Sequence, residues 1–368
     1  MRTMIVATVL AVGAGTALAQ EAEKRGRMDV VFCIDRSGSM QGVIETAKQK
    51  VWGIVNEMAK SKPSPILRIG LVGYGTADRD IKFFQLSDDL DKVYENLLTF
   101  KVDMGGDEWV GWAAKQAADR MEWSKEKGAL KIIFMVGNET AMQGRADVLY
   151  TNTIPEVVKK DINVNAIYCG NPNPEEGRTW MEVAKLADGI YTTIDLSGGA
   201  ITIETPHDKR LIELNQKLNG TYVGFGRDGE EGKKAQQEQD LKTASAGAPA
   251  AAERAAAKGK EVYNNARWDL VDASKDKNFK IEELKDDQLP AELKGKTLEE
   301  KKAYVEKLRK DREAIQKEIN DTDTARAKFL QEEIKRRNLN QTSAFDEAVR
   351  SAVRKQAEKR GFTFEEQK

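Results

Sequence analysis

The sequence predicts an α/β protein: a doubly wound, mostly parallel sheet followed by a mainly α-helical C-terminal region. Three observations carry this. Short apolar runs bounded by turn residues alternate with helical patterns from residue 28 to 195, which is the signature of βαβ units. The runs are apolar at nearly every position, as expected of strands covered on both faces. Beyond Arg227 the apolar runs cease and charge density rises.

The first strand, Val30-Val31-Phe32-Cys33-Ile34, ends at Asp35 and opens the spacing Asp35-x-Ser37-x-Ser39. Ser37-Gly38-Ser39 turns the chain. A helical pattern follows in Val43, Ile44, Ala47, Val51, Ile54, Val55 and Met58. Asp35 and both serines thus sit on a loop at the carboxyl end of a buried strand, the edge where open α/β sheets bind ligands. One carboxylate and two hydroxyls are hard oxygen donors, suited to Mg²⁺, Mn²⁺ or Ca²⁺.

Ile66 to Tyr74 reads as the second strand and Ile81 to Leu86 as a polar edge strand. Leu90 to Phe100 is helical, with Leu90, Val93, Tyr94, Leu97 and Leu98 on one face. The glycine turn Asp103-Met104-Gly105-Gly106-Asp107-Glu108 leads into a helix over 109–123. Leu130 to Val136 is a central strand ending in Gly137-Asn138-Glu139-Thr140. A helix, the strand Val164 to Cys169, another helix and the strand Ile190 to Ile194 complete the pattern. By this order the polar loops 35–39, 103–108 and 137–140 converge on one edge.

These residues resemble a von Willebrand factor A (vWA) domain: Asp35-x-Ser37-Gly38-Ser39 after the first strand, Gly105-Gly106-Asp107 before a helix, and Gly137-Asn138-Glu139 after the central strand. The resemblance implies a Rossmann-like fold and a metal-ion-dependent adhesion site. It assigns Asp35, Ser37, Ser39 and Asp107 as metal ligands, with Asn138 and Glu139 as outer support. Two departures stand out: Asp107 replaces the threonine of many members, and Gly137-Asn138-Glu139 replaces the usual Asp-Gly. Helix capping is the competing role for Asp107. The implied cofactor is a divalent cation, Mg²⁺ first, with Mn²⁺ or Ca²⁺ as alternatives. The arrangement as a whole is similar to exported bacterial vWA proteins of undefined role.

Composition narrows the chemistry. Lys+Arg 59 against Asp+Glu 60 gives a net charge of −1, with no basic excess for nucleic acid. One histidine, His207, and two cysteines, Cys33 and Cys169, cannot build a multi-histidine or four-cysteine zinc site. Both cysteines fall in strands separated by another, so buried free thiols are expected. No phosphate loop, dinucleotide fingerprint or GxSxG elbow is present. The sequence MRTMIVATVLAVGAGTALAQ has a positive start, a short apolar core and an Ala17-Leu18-Ala19 cleavage site, which reads as a signal peptide. A periplasmic or secreted protein with no membrane span after cleavage is expected.

The domain reading is therefore a signal peptide at 1–19, a vWA domain at 26–200 and an associated extension at 201–226. An Ala/Lys/Gln-rich linker or solvated helix follows at 227–260, then a charged helical region at 261–368. In that last region, Val305, Leu308, Ile315, Ile319 and Thr322 approximate a seam broken by Arg312, and a helical hairpin is expected to turn near 320–321 or 338–342. Asp272 to Glu283 has acids at calcium-loop positions but lysines at the sixth and ninth, which favours a plain loop. The expected function is a non-enzymatic module that binds a protein partner, through an acidic side chain at the metal. The alternative is a structural or assembly protein with a degenerate metal site, self-associating through its C-terminal helices.

Overall fold

The computed structural model describes residues 25–75, 78, 81–103, 105–170, 174–196, 202–339 and 345–364. The signal-peptide reading at 1–19 lies outside them. Strands β1 (Arg27–Asp35), β3 (Ile66–Tyr74), β4 (Lys82–Ser87), β5 (Leu130–Gly137), β6 (Asn163–Cys169) and β7 (Tyr191–Ile194) form one sheet in the order β4-β3-β1-β5-β6-β7. Only β4 runs antiparallel to its neighbour. The mostly parallel α/β reading holds.

Alternation along β1 sorts its side chains onto two faces. Val31 and Cys33 join helices α3 (Val110–Arg120), α4 (Tyr150–Val158) and α5 (Pro174–Leu186) in one core. Met28, Val30, Phe32 and Ile34 join α1 (Gln41–Ala59) and α2 (Leu90–Leu98) in the other. Cys33 and Cys169 are buried free thiols, and burial raises both above the ordinary thiol range, so they are inert by exposure and by charge state.

The second face is finished by the far end of the chain. Helix α6 (Asp208–Asn219) is followed by α7 (Gly229–Ser245), α8 (Ala248–Lys258), the short α9 (Leu270–Ala273), α10 (Leu298–Arg336) and α11 (Phe345–Glu358). Ala348, Val349, Ala352, Val353 and Ala357 of α11 lie in the same core as Phe134, Ile167 and Cys169 of the sheet. Asn165 of β6 and Gln356 exchange amide hydrogen bonds of 3.0 and 2.8 Å, and Arg354 pairs with Glu57 of α1. Beyond α11, β8 (Thr363–Phe364) pairs antiparallel with β2 (Ser61–Lys62). At Gly26 a Cβ would meet the Phe362 ring at 2.4 Å, so only glycine lets this tail dock.

The segment 227–260 is not a linker. It forms α7 and α8, and Ala252, Ala255 and Ala257 sit in the main core. Small side chains let the helix axes approach, so modest apolar area still buries fully. Charge completes the contact: Arg254 pairs with Asp91 of α2 at 2.7 Å and with Asp240, and lies 4.7 Å over the Trp52 ring. Lys258 pairs with Asp240 at 3.0 Å. Burial pushes the Asp240 carboxyl up, but Lys258 and Arg254 outweigh it and hold the group well below the usual range. For Lys258, burial wins over Asp240 and lowers the ammonium to about 8.

Helix α10 is continuous from Leu298 to Arg336, so the chain does not break near 320–321; of the later expected break, 338–342, residues 340–342 lie outside the described residues. Its fully buried residues are Val305, Arg312, Ile319 and Arg326, spaced by seven. Arg312, read from sequence as a break in the seam, is its centre. It bonds Asp269 at 2.6 Å, Asp272 at 3.0 Å and the Thr221 carbonyl at 2.6 Å, and its guanidinium lies 4.0 Å over Tyr222. Asp272, the first residue of the tested calcium loop, is committed to this arginine and to Lys275 at 2.8 Å, as the plain-loop reading expects. A third apolar cluster, including Val223, Leu270, Ile281, Leu293 and Val305, lies around α9 and the start of α10.

Candidate functional site

Asp35 ends β1 fully buried, with Ser37 nearly so and Ser39 exposed. The turn curls onto its own acid. Asp35 Oδ1 accepts the Ser37 backbone N–H at 2.7 Å, and Oδ2 accepts the Ser37 hydroxyl at 3.0 Å. The Ser37 and Ser39 hydroxyl oxygens are 3.1 Å apart, and Ser39 donates to Asn138 Oδ1 at 3.1 Å. The first and third loops therefore meet, as the strand order β1-β5 requires. Gly75, at φ +127°, closes the other side: a Cβ there would lie 2.7 Å from Asp35 Oδ1.

The second loop supplies a different acid from the one expected. Asp107 is exposed, and its carboxylate faces the Trp109 indole N–H at 3.5 Å. It does not cap α3, whose N-terminal flank is Trp109 without a side-chain cap. Glu108 is 3% exposed, and its carboxyl lies beside Asp35 and Ser37 and interacts with both. The acid that faces Asp35 here is thus Glu108, the neighbour of the expected Asp107. Trp109 is buried, with Arg145 5.0 Å over its ring, and Asp107 turns outward to its indole while the longer Glu108 arm reaches in. Nothing in the sequence distinguishes the two adjacent acids except that arm length.

Burial pushes the Glu108 carboxyl far above its ordinary value, and the Asp35 charge, the Asp35 hydrogen bond and the Glu139 charge add to the rise. Burial also raises Asp35, against the hydrogen bonds from Ser37 and Glu108. At neutral pH Glu108 keeps its proton and donates to the Asp35 carboxylate, as expected of facing acids. Tyr74, at the end of β3, is buried beside this pair and donates to the Val136 carbonyl at 3.0 Å.

Two further side chains, missed in the sequence, brace the loops. Gln143 Oε1 accepts the Glu108 backbone N–H at 2.6 Å, and its amide donates to Glu139 at 3.1 Å. Arg36, 3% exposed, reaches Asp103 at 3.5 Å. From below, Trp180 donates to the Glu139 carbonyl at 2.6 Å, and the Ala141 N–H donates to Thr179 at 2.9 Å. Amides and tryptophans inside polar loops carry no motif, so only the fold brings them forward.

Among the described residues no three histidine, cysteine or acidic side chains group closely enough to hold a metal by themselves. The donor set is mixed: the Asp35 and Glu108 carboxyls, the Ser37 and Ser39 hydroxyls and the Asn138 amide oxygen. All are hard oxygens, and two buried acids facing each other form a place of negative charge that a divalent cation fits in lieu of the shared proton.

Residues 29–189 match the family model of the von Willebrand factor type A domain. Similar solved structures include the conserved hypothetical protein BatB from Bacteroides thetaiotaomicron, at 17% identity and TM-score 0.36, over 46% of this chain and 90% of that one. Another is proximal thread matrix protein 1 from the mussel byssus with a zinc-occupied MIDAS motif, at 16% identity and TM-score 0.37, over 46% and 42%. A third is a von Willebrand factor type A protein from Catenulispora acidiphila, at 13% identity and TM-score 0.36, over 50% and 39%. No curated protein matches the sequence.

Proposed function

Starting from residues 29–189 as a vWA domain, a protein-interaction module, we propose that this chain is non-enzymatic and grips a protein partner through a divalent cation at the carboxyl edge of its sheet. Asp35, Ser37, Ser39 and Glu108 hold the cation, and Asn138 supports them through Ser39. The observation that carries this is the pair of buried acids, Asp35 and Glu108, facing each other beneath two hydroxyls. Bound there, Mg²⁺, Mn²⁺ or Ca²⁺ supplies a positive charge with a free position for an acidic side chain of the partner.

The non-enzymatic reading has support nearby. Ser37 donates to the Asp35 carboxylate rather than to a histidine. The one histidine, His207, flanks α6 with its ring edge-on to Phe329 at 6.3 Å, so no Ser-His pair forms. The assembly reading has less support, because the apolar face of α11 is spent on the chain's own sheet. Among the described residues no helix is long and apolar enough to cross a membrane. Export stays part of the proposal, tested by the mass of the mature chain, which begins at Gln20 if Ala19 is the cleavage point.

The test is calorimetry with Mg²⁺ or Mn²⁺ and with chelator. A cation at 100 times its Kd stabilises by about 2.7 kcal/mol, and Asp35→Ala abolishes the response. A wild-type protein whose melting is unmoved by every divalent cation overturns the metal part of the proposal. Cross-linking capture of a partner that persists in chelator overturns the cation's part in binding.

A further inference from the structure

Gln143 sits between the second and third loops and touches both with one side chain. Its carbonyl oxygen accepts the Glu108 backbone N–H at 2.6 Å, and its amide nitrogen donates to Glu139 Oε2 at 3.1 Å. Both targets belong to the candidate site: Glu108 lies beside Asp35, and the Glu139 charge acts on Asp35 and Glu108 alike. The bond to Glu108 goes to the backbone, so it fixes where the Glu108 side chain starts. The bond to Glu139 goes to the carboxylate, so it fixes where that charge ends.

The surroundings hold Gln143 itself in place. The loop that carries it is tied to α5 at Glu139 and Ala141. Gly144, next in sequence, has φ +115°, and a Cβ there would lie 3.2 Å from the Trp109 ring. Glycine alone lets the loop close onto Trp109, the residue after Glu108. The clamp therefore has a fixed base on α5 and a fixed stop on the second loop.

We propose that Gln143 is a positioning residue for the cation site: it sets Glu108 against Asp35 and holds the Glu139 carboxylate at a fixed distance from the bound ion. This rests on the reading of Asp35, Ser37, Ser39 and Glu108 as a cation site. A side chain of this kind, which orients ligands without touching the ion, typically contributes about 10- to 100-fold in metal affinity. An amide suits the task because it offers an acceptor to the N–H and a donor to the carboxylate at once. A glutamate at 143 keeps the acceptor, loses the donor and adds a like charge facing Glu139.

The experiment measures Mn²⁺ affinity by titration calorimetry, and melting in chelator, for the full chain and for Gln143→Met, Gln143→Glu and Asp35→Ala. Gln143→Met keeps the length and removes both hydrogen bonds. The expected result is a loss of about 10- to 100-fold in Mn²⁺ affinity for Gln143→Met, a distinct affinity for Gln143→Glu, and chelator melting for Gln143→Met close to wild type. Wild-type affinity in Gln143→Met overturns the inference while leaving the cation site intact. A loss of affinity matched by an equal fall in chelator melting also overturns it, since the role is then structural. A wild-type protein that binds no Mn²⁺ overturns the site and the inference together, and Asp35→Ala identifies that case by behaving like wild type.

Discussion

Two places in this molecule bury acids, and they do so in opposite ways. At the sheet edge, Asp35 and Glu108 face each other, and both carboxyls are raised. Among the packed helices away from that edge, Asp91, Asp240, Asp269 and Asp272 each meet a buried Arg254, Lys258 or Arg312, and Asp240 is lowered. Desolvation acts on both sets: Lys258 and Arg254 outweigh it at Asp240, while at Asp269 it outweighs Arg312 and the carboxyl is raised, so what separates the two places is the partner each acid meets. A buried acid with a built-in cation is a closed joint. A buried acid facing another acid is an opening for a cation from solution. One region holds the chain to itself, and the other is built to hold something else.

The largest expected effect lies in the joint. Arg312→Ala strands Asp269 and Asp272 without their cation and removes the stack on Tyr222, so denaturant unfolding should show a loss of about 3–5 kcal/mol. A loss under about 1 kcal/mol would erase the contrast between the regions, because Arg312 would then behave as a surface charge. Next, Gln356→Ala leaves the buried Asn165 amide without its partner in α11. The expected cost is about 1–3 kcal/mol, seen as a lower midpoint in the same assay.

Acid sharpens the comparison further. The folded Asp240 carboxyl lies below its unfolded value of about 3.9. Its contribution is therefore complete above that pH and is lost as pH falls toward the folded value. Asp240→Asn should flatten the decline of stability below about pH 4, measured by urea unfolding at a series of pH values. A decline as steep as wild type would mean that other carboxylates carry it. The smallest effect belongs to the open edge. In chelator, Glu108→Gln removes one of two facing acids, so stability should hold or rise, by on the order of 1 kcal/mol, while the response to Mg²⁺ falls. A large loss of stability in chelator would show that Glu108 is a structural acid like Asp269.

Much of this was legible from the sequence because period and punctuation are local. Apolar runs and helical faces placed the strands, and the spacing Asp35-x-Ser37-x-Ser39 placed the first loop at the carboxyl edge, where Ser39 indeed meets Asn138. What stayed hidden depends on partners far away in sequence. Asp107 and Glu108 are adjacent acids, and only the wall formed by Trp109 and Gln143 turns one inward. Arg312 looked like an interruption because the acids that bury it, Asp269 and Asp272, are 43 and 40 residues away. Residues 227–260 looked solvated because alanine contributes little apolar area per residue, although it permits close helix contact. The role of α11 could not be read at all, since a charged amphipathic helix does not state which sheet it covers.

The bond between Glu57 and Arg354 spans 297 residues, and that span has a consequence for how the chain comes into being. On the ribosome the amino-terminal end emerges first. All the strands of the large sheet are made before residue 195, yet the helix that covers part of their second face starts only at Phe345. Until then Phe134, Ile167 and Cys169 lack their cover from α11. Closing so long a loop is slow, and the growing chain must carry an unfinished surface until residues 345–358 have been made. Residues 345–358 thus finish that face: a polypeptide cut short before Phe345 is left with an exposed apolar face that chaperones and proteases recognise.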